Sequence, residues 1–224
     1  MARDDSRNCL LEAAGQVFAE KGYRTATVRE ICDLAKMNVA SVNYYFGGKE
    51  QLYIEAVKHA DQPLHGQTFT PEWSVDTPPE EKLQTFIRMF LQRTIGHRAE
   101  SWRRQLMMRE ILAPSGACKE LVESHFRQRF GLLLSIVDEL LPEPVSEAKR
   151  HQVAFSVLGQ CLHYHVAGTI VELLVGREEL TQHYSIEQLT DHILQMTLAG
   201  IRVIAAEPEK NARLDETHAR ATEE

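Results

Sequence analysis

Within the eight residues from Asn38 to Tyr45 the chain gathers Asn38, Ser41, Asn43, Tyr44 and Tyr45, around an apolar pair four residues apart, Val42 and Phe46. On a helix, Val42 and Phe46 face inward, and the small, amide and phenolic groups stand on the outer faces. Such a surface suits the major groove of duplex DNA. Small side chains let the backbone approach, an amide can pair bidentately with adenine, and phenolic hydroxyls reach phosphates. A surface helix whose aromatics pack on a neighbour would carry similar residues, so the flanking segments have to discriminate.

Those flanks read as a helix-turn-helix. Thr27 and Glu30 have the spacing of a capping box, which predicts a short helix from Val28, and Val28, Ile31, Cys32 and Ala35 form its apolar face. Lys36, Met37 and Asn38 break that pattern and make the turn. Asn38 can cap a second helix, Val39 to Phe46, and Gly47-Gly48 supplies the backbone freedom to end it and begin another at Lys49. An earlier helix starts around Asp4 or Ser6, repeats Leu10, Leu11, Ala14, Val17 and Phe18 at helical spacing, and stops at Gly22. The helix from Lys49 turns Leu52, Tyr53, Ala56, Val57 and Ala60 inward and fades at Pro63.

With these elements laid out, Thr25, Thr27, Val28, Arg29, Glu30, Ile31, Asn38 to Ser41, Tyr44 to Gly47, Lys49, Glu50 and Leu52 resemble the DNA-binding domain of TetR-type repressors. The resemblance covers about the first sixty residues, and NVASVNYYFGGKE is similar to the subgroup whose companion domain was formerly of unknown function, typified by a bacterial regulator of drug-efflux genes. It implies that Thr25, Thr27 and Lys49 anchor phosphates, that Asn38, Val39, Ala40, Ser41 and Asn43 lie along the groove, and that Tyr44 and Tyr45 hold the backbone. Val39 stands where many relatives carry Lys or Arg, and Asn43 where many carry an aromatic. Val39 cannot read guanine, and contact with a thymine methyl is expected instead.

The remaining chain is expected to be helical throughout, giving an all-α protein. Residues 61–77 have no period and mark a boundary, with Leu64, Phe69, Trp73 and Val75 in need of cover. Thr77 is read as the cap of a helix with Pro78 and Pro79 in its first turn, followed by helices from Ser101, from Gly116 to Leu141, from Ser146 to Val175 and from Ser185 to Ala206. Domains are accordingly expected at 1–60, a DNA-binding head, and 61–206, a ligand-binding and dimerisation body, with 207–224 a charged tail. The last two helices carry more apolar surface than one face can bury. Val157, Cys161, Gly168, Val171, Ile193, Met196, Gly200 and Ile204 are the candidates for pairing two copies, with a fully buried hairpin as the alternative. An apolar effector pocket is expected from Phe86, Met89, Phe90, Trp102, Met107, Phe126, Phe130 and Tyr164, with Arg93, Arg109, Glu110, His125 or His163 to orient a ligand, chiefly because the resemblance implies release of DNA by such a ligand.

Composition limits the alternatives. The 224 residues carry a net charge of −7, yet residues 1–60 hold eight Lys or Arg against eight Asp or Glu. A neutral head can present a local positive face, while an acidic body argues against nonspecific DNA coating. No stretch has the apolar length of a membrane span and MARDDSRN does not read as a signal peptide, so a bacterial cytoplasmic protein, at the nucleoid when bound to DNA, is expected. Cys9, Cys32, Cys118 and Cys161 follow no metal or redox spacing, and Cys9 and Cys32 are expected to pack as small hydrophobes. Cys161 and His165 share a helical face but His163 points elsewhere, so no metal is expected, nor any cofactor. No phosphate loop, nucleophile elbow or paired carboxylates point to an enzyme. The reading is a homodimeric, ligand-responsive repressor of a short palindromic operator, with partners limited to DNA, effector and self. The alternatives are an activator or architectural DNA binder without a ligand, and a pure interaction bundle.

Overall fold

The computed structural model describes residues 2–61, 71–96, 101–141 and 145–206, so Leu64, Phe69, the side chain of His125 and the tail lie outside the described residues. The described residues are helical, with no strand among them. In chain order the helices are α1 (Ala2–Thr25), α2 (Val28–Ala35), α3 (Ala40–Phe46), α4 (Lys49–Asp61), α5 (Pro79–Ile95), α6 (Ser101–Leu112), α7 (Gly116–Leu121), a π turn (Val122–Phe126), α8 (Arg127–Leu140), α9 (Glu147–Val166), α10 (Gly168–Val175), α11 (Arg177–His183) and α12 (Ile186–Ala206). They form two compact units, one of α1–α4 with α6, α7 and the π turn, the other of α5 and α8–α12.

The first unit is built on the apolar faces anticipated for α1–α4. Leu10, Ala14 and Phe18 of α1, Ile31 and Cys32 of α2, Val42 and Phe46 of α3 and Leu52 and Val57 of α4 share one buried cluster. Each fully buried Leu, Ile or Phe contributes roughly 1.5–3 kcal/mol. Helices α1–α4 do not close this cluster by themselves. Trp102 and Leu106 of α6 and Ala117 and Leu121 of α7 belong to the same core. Trp102 enters where Gly15 leaves α1 without a side chain: a Cβ there would stand 2.1 Å from the indole Cζ3. Polar contacts follow the same route. Arg103 reaches Glu12 of α1 at 2.7 Å and the His59 carbonyl of α4, and His59 Nε2 lies 2.6 Å from the same Glu12 oxygen.

Nearly two turns further along α6, Arg109 donates to the carbonyls of Ala19 and Glu20, at 2.6 and 2.8 Å. These belong to the last turn of α1 before Gly22, where φ is 76° and the helical path breaks as expected. The neighbouring Glu110 is buried, yet its carboxylate accepts from the Tyr53 hydroxyl at 2.7 Å and from the Ser115 N–H and O–H at 2.7 and 2.8 Å. Three donors satisfy a charge that would otherwise be costly to bury. Burial, reinforced by Glu110, drives the Tyr53 phenol well above its ordinary range.

In the second unit α5 packs against α9 and α12, and Leu83, Phe86, Ile87 and Leu91 meet Leu133, Ile136 and Val137 of α8, Val153, Ala154, Val157 and Cys161 of α9 and Leu189, Ile193 and Ile201 of α12. Trp73 is packed against this core, whereas Val75, expected to need cover, is 99% exposed. Helix boundaries differ from the sequence expectation at several points. Pro78, not Thr77, precedes the first residue of α5, because a residue before proline is excluded from the helical region; Pro78 is extended at ψ 143°. The helix from Ser146 is broken at Ala167, whose φ and ψ of −101° and 13° leave the helical region just before Gly168. The run from Gly116 is interrupted by the π turn, so residues on either side of it do not share one heptad-like stripe.

The Gly15–Trp102 contact sets a sign. In an ordinary helix Gly→Ala stabilises by about 1 kcal/mol. Gly15→Ala should instead destabilise the protein by about 1–3 kcal/mol through overpacking, read as a lower urea midpoint with helicity retained in buffer. A raised midpoint would mean that Trp102 does not occupy this notch.

Candidate nucleic-acid interface

Both helices of the turn are fixed by side-chain caps. Thr27 is extended, its hydroxyl accepts the Glu30 N–H at 3.2 Å, and Glu30 in turn accepts the Thr27 N–H at 3.0 Å, completing the capping box. Lys36 closes α2 in the left-handed conformation, φ 54°, with its N–H directed at the carbonyls of Asp33 and Cys32. Asn38 then takes the Ala40 N–H on Oδ1 at 2.9 Å, so the expected cap is present although α3 begins at Ala40 rather than Val39. The Cys32 thiol, buried beneath the turn, points at the Asn38 carbonyl at 3.6 Å.

α3 divides as its sequence demands. Val42 and Phe46 are buried; Asn38, Val39, Ala40, Asn43 and Tyr44 are exposed, and Ser41 and Tyr45 are half-buried. Tyr44 and Tyr45 stack edge to face at 4.9 Å, which holds the two rings as a pair. Gly47 at φ 77° and Gly48 at φ 153° turn the chain into α4, conformations that a side chain would strain. The turn delivers Lys49 beside the end of α1: its ammonium lies 4.8 Å from the Tyr23 ring centre and 3.4 Å from the Arg24 carbonyl. Thr25 and Thr27, both exposed, follow at once. The ten candidate DNA contacts therefore occur on the surface of one unit, on α3 and at the ends of α1, α2 and α4 that adjoin it.

A feature that the sequence did not signal sits at the same junction. Lys21 of α1 and Glu30 of α2 are separated by the break at Gly22, and their side chains meet at 2.6 Å. Lys21, with Thr27, holds the Glu30 carboxyl down at about 2. Helical periodicity has no means of pairing residues across a non-helical break.

The other two candidate sets are less unified. Trp102, Met107 and Phe126 belong to the core of the first unit, whereas Phe86, Phe90, Phe130 and Tyr164 belong to the second, so the expected pocket residues are not one cluster. Arg109 and Glu110 hold helices of the first unit together. Met89 and Arg93 are half-buried and His163 is exposed. Of the dimer candidates, Val157, Cys161 and Ile193 are completely buried in their own unit and Val171 nearly so, leaving them no surface for a partner. Met196 and Gly200 are exposed, and Gly168 and Ile204 are half-buried.

Comparison with known proteins bears on both ends of the chain. Residues 10–56 match the family model of bacterial regulatory proteins of the tetR family, and residues 79–201 match that of the C-terminal domain of the HTH-type transcriptional dual regulator CecR. The chain is similar to the HTH-type transcriptional repressor NicS of Pseudomonas putida, 39% identical over 56 residues, which are 25% of this chain and 26% of NicS. It is similar also to the HTH-type transcriptional dual regulator CecR of Shigella flexneri, 37% identical over 68 residues, 30% of either chain. The chain thus spans less than two thirds of the length of these curated relatives. Among solved structures, AibR in complex with isovaleryl coenzyme A and operator DNA is similar with a TM-score of 0.60 at 17% identity, over 85% of this chain and 97% of AibR, a likeness of fold.

The thiols should separate by burial. Cys161 is inaccessible and burial pushes its thiol up to about 12; Cys32 is buried with its thiol also raised, while Cys9 is exposed, contrary to the expectation that it packs inside. Since thiolates are the reactive form, a disulfide reagent at neutral pH should label Cys9 in the native protein and reach Cys32 and Cys161 only on unfolding. Fast native labelling of Cys161 would contradict its place in the core.

Proposed function

Since the chain belongs to the tetR family of bacterial regulatory proteins and carries a CecR-type C-terminal domain, we propose that it represses transcription by binding a short palindromic operator as a homodimer. A small apolar or amphipathic molecule, held in the second unit, releases it. The observation that carries the reading is the outward face of α3: five exposed positions, small or amide but for Val39 and Tyr44, backed by Val42 and Phe46 and ending at Lys49. Val39, 47% exposed, offers methyl groups to a thymine and Asn43 offers an amide to a base edge. Lys49 and the tyrosines supply phosphate contacts that set register. Similarity to a dual regulator favours, as a second reading, activation at some promoters.

Two exposed stripes of the second unit support pairing with a second copy. On α9, Gln152, Phe155, Ser156, Gly159, His163 and Val166 are exposed, and on α12, Gln188, His192, Gln195, Met196, Ala199 and Val203. Neither stripe contains Asp, Glu, Lys or Arg, and Phe155, Met196 and Val203 are each more than half exposed. A surface free of Asp, Glu, Lys and Arg, with Phe155, Val166, Met196 and Val203 exposed along it over several turns of two helices, fits a four-helix interface better than it fits water. For the effector we propose a site beside Phe90, Phe130 and Tyr164, which are partly buried against the core, with Met89 and Arg93 on the same helix as Phe90.

Two variants separate reading from holding. Asn43→Ala should weaken the operator by about 1–3 kcal/mol and relax preference at one base pair. Lys49→Ala should weaken all sequences alike and flatten the salt slope by about one phosphate. Anisotropy titrations over a scan of operator bases measure both, and equal losses for Asn43→Ala on operator and random DNA would remove its reading role. For assembly, Val203→Lys places a charge in the uncharged stripe and should shift sedimentation from dimer to monomer. A wild-type protein already monomeric at micromolar concentration would overturn the dimer, and with it the two-fold operator.

A further inference from the structure

The capping box at the start of α2 leaves unusually little to offer a phosphate. A hydroxyl has one proton to donate, and phosphate oxygens only accept. The Thr27 hydroxyl donates that proton to Glu30 Oε2 at 2.9 Å, while its lone pairs take the Glu30 N–H. The Thr27 backbone N–H goes to the same carboxylate oxygen. The other Glu30 oxygen takes Lys21 at 2.6 Å, an ammonium otherwise exposed at the end of α1. Lys49 lies beside Tyr23 and Arg24, so this cluster borders the surface where α3 ends. One carboxylate therefore occupies a hydroxyl donor, a backbone donor and a cation at the margin of the DNA-reading face.

We propose that Glu30 is a specificity-setting residue that withholds Lys21 and the Thr27 hydroxyl from the DNA backbone. The phosphate grip of the head is thereby concentrated on Lys49 and the tyrosines next to the base-reading side chains. Resting on the DNA-binding reading above, this reverses the role expected for Thr27: its hydroxyl orients α2 instead of holding DNA. A carboxylate at this point also repels a phosphate that is not drawn in by neighbouring base contacts, so its effect falls on sequence-independent affinity. Glu30 acts through Lys21 and Thr27 and is a positioning residue.

The test is the salt dependence of binding to a random-sequence duplex, measured on the full chain for wild type, Lys21→Ala, Glu30→Gln and the double variant. Glutamine retains the capping-box spacing, and thermal melts followed by circular dichroism verify that Glu30→Gln stays folded. Lys21→Ala alone should leave the slope of log affinity against log salt unchanged, because Lys21 is held by Glu30. Glu30→Gln should tighten binding at low salt and steepen the slope by about 0.9, so that affinity falls about threefold further between 50 and 200 mM salt. Adding Lys21→Ala to Glu30→Gln should cancel the steepening. A flatter slope for Lys21→Ala alone, or no change of slope for Glu30→Gln, overturns the proposal while leaving DNA binding intact. Failure of all four proteins to bind the duplex at low salt overturns the DNA-binding reading and the proposal together.

Discussion

The first unit depends on one insertion: the Trp102 indole lying against Gly15, with α6 behind it. A three-helix head with a connecting helix has little core of its own, and small cores are marginal because too much of their surface stays wet. Trp102, Leu106, Ala117 and Leu121 complete it. The same helix then gathers the polar ends, with Arg103 on Glu12 and on the His59 carbonyl, Arg109 on the last carbonyls of α1, and Glu110 on Tyr53. Each is charge-assisted, and each joins a residue of α6 to one some forty to ninety positions earlier. The orientation of α1 and α4, and so of the turn between them, follows from that set of contacts.

The helix-turn-helix surface is accordingly held in place by caps and core. Its helices are too short to persist alone, since fewer than about 12 residues rarely hold a helix in water. Thr27, Glu30 and Asn38 cap them, Lys36 and Gly47 end them in left-handed conformations, and Val42 and Phe46 bury their inner side. On the DNA-binding reading proposed above, preorganisation of this kind means that association orders few additional side chains, which lowers its entropic cost.

The second unit solves a different problem. Its helices carry apolar residues on two sides, and one side closes the unit's own core through Val157, Cys161 and Ile193. The opposite side leaves Phe155, Val166, Met196 and Val203 exposed, with uncharged neighbours between them. Beyond the break at Ala167, Ile170, Leu173 and Leu174 of α10 continue the exposed apolar character, while α11 is polar.

The relations legible in the sequence alone are the local ones around the helix-turn-helix. The capping box at Thr27, the cap at Asn38, the stop at Gly22, the double-glycine turn and the inward pair Val42–Phe46 are relations within a few residues, and each is present. The wide apolar coverage of α9 and α12 was legible too, but not which of its residues face inward: periodicity defines a stripe without saying what lies opposite, so Val157 and Cys161 could be assigned to a partner when they belong to the core. Tertiary structure alone decided the rest. Trp102 and Met107 fall within residues 61–206, expected to be the body, yet they pack in the first unit, since the free energy of burying an indole depends on the notch at Gly15, 87 residues away, and not on chain order. Lys21 meets Glu30 for the same reason: a helix break sets the direction in which two segments leave it, and only the packed fold shows which charges that direction brings together.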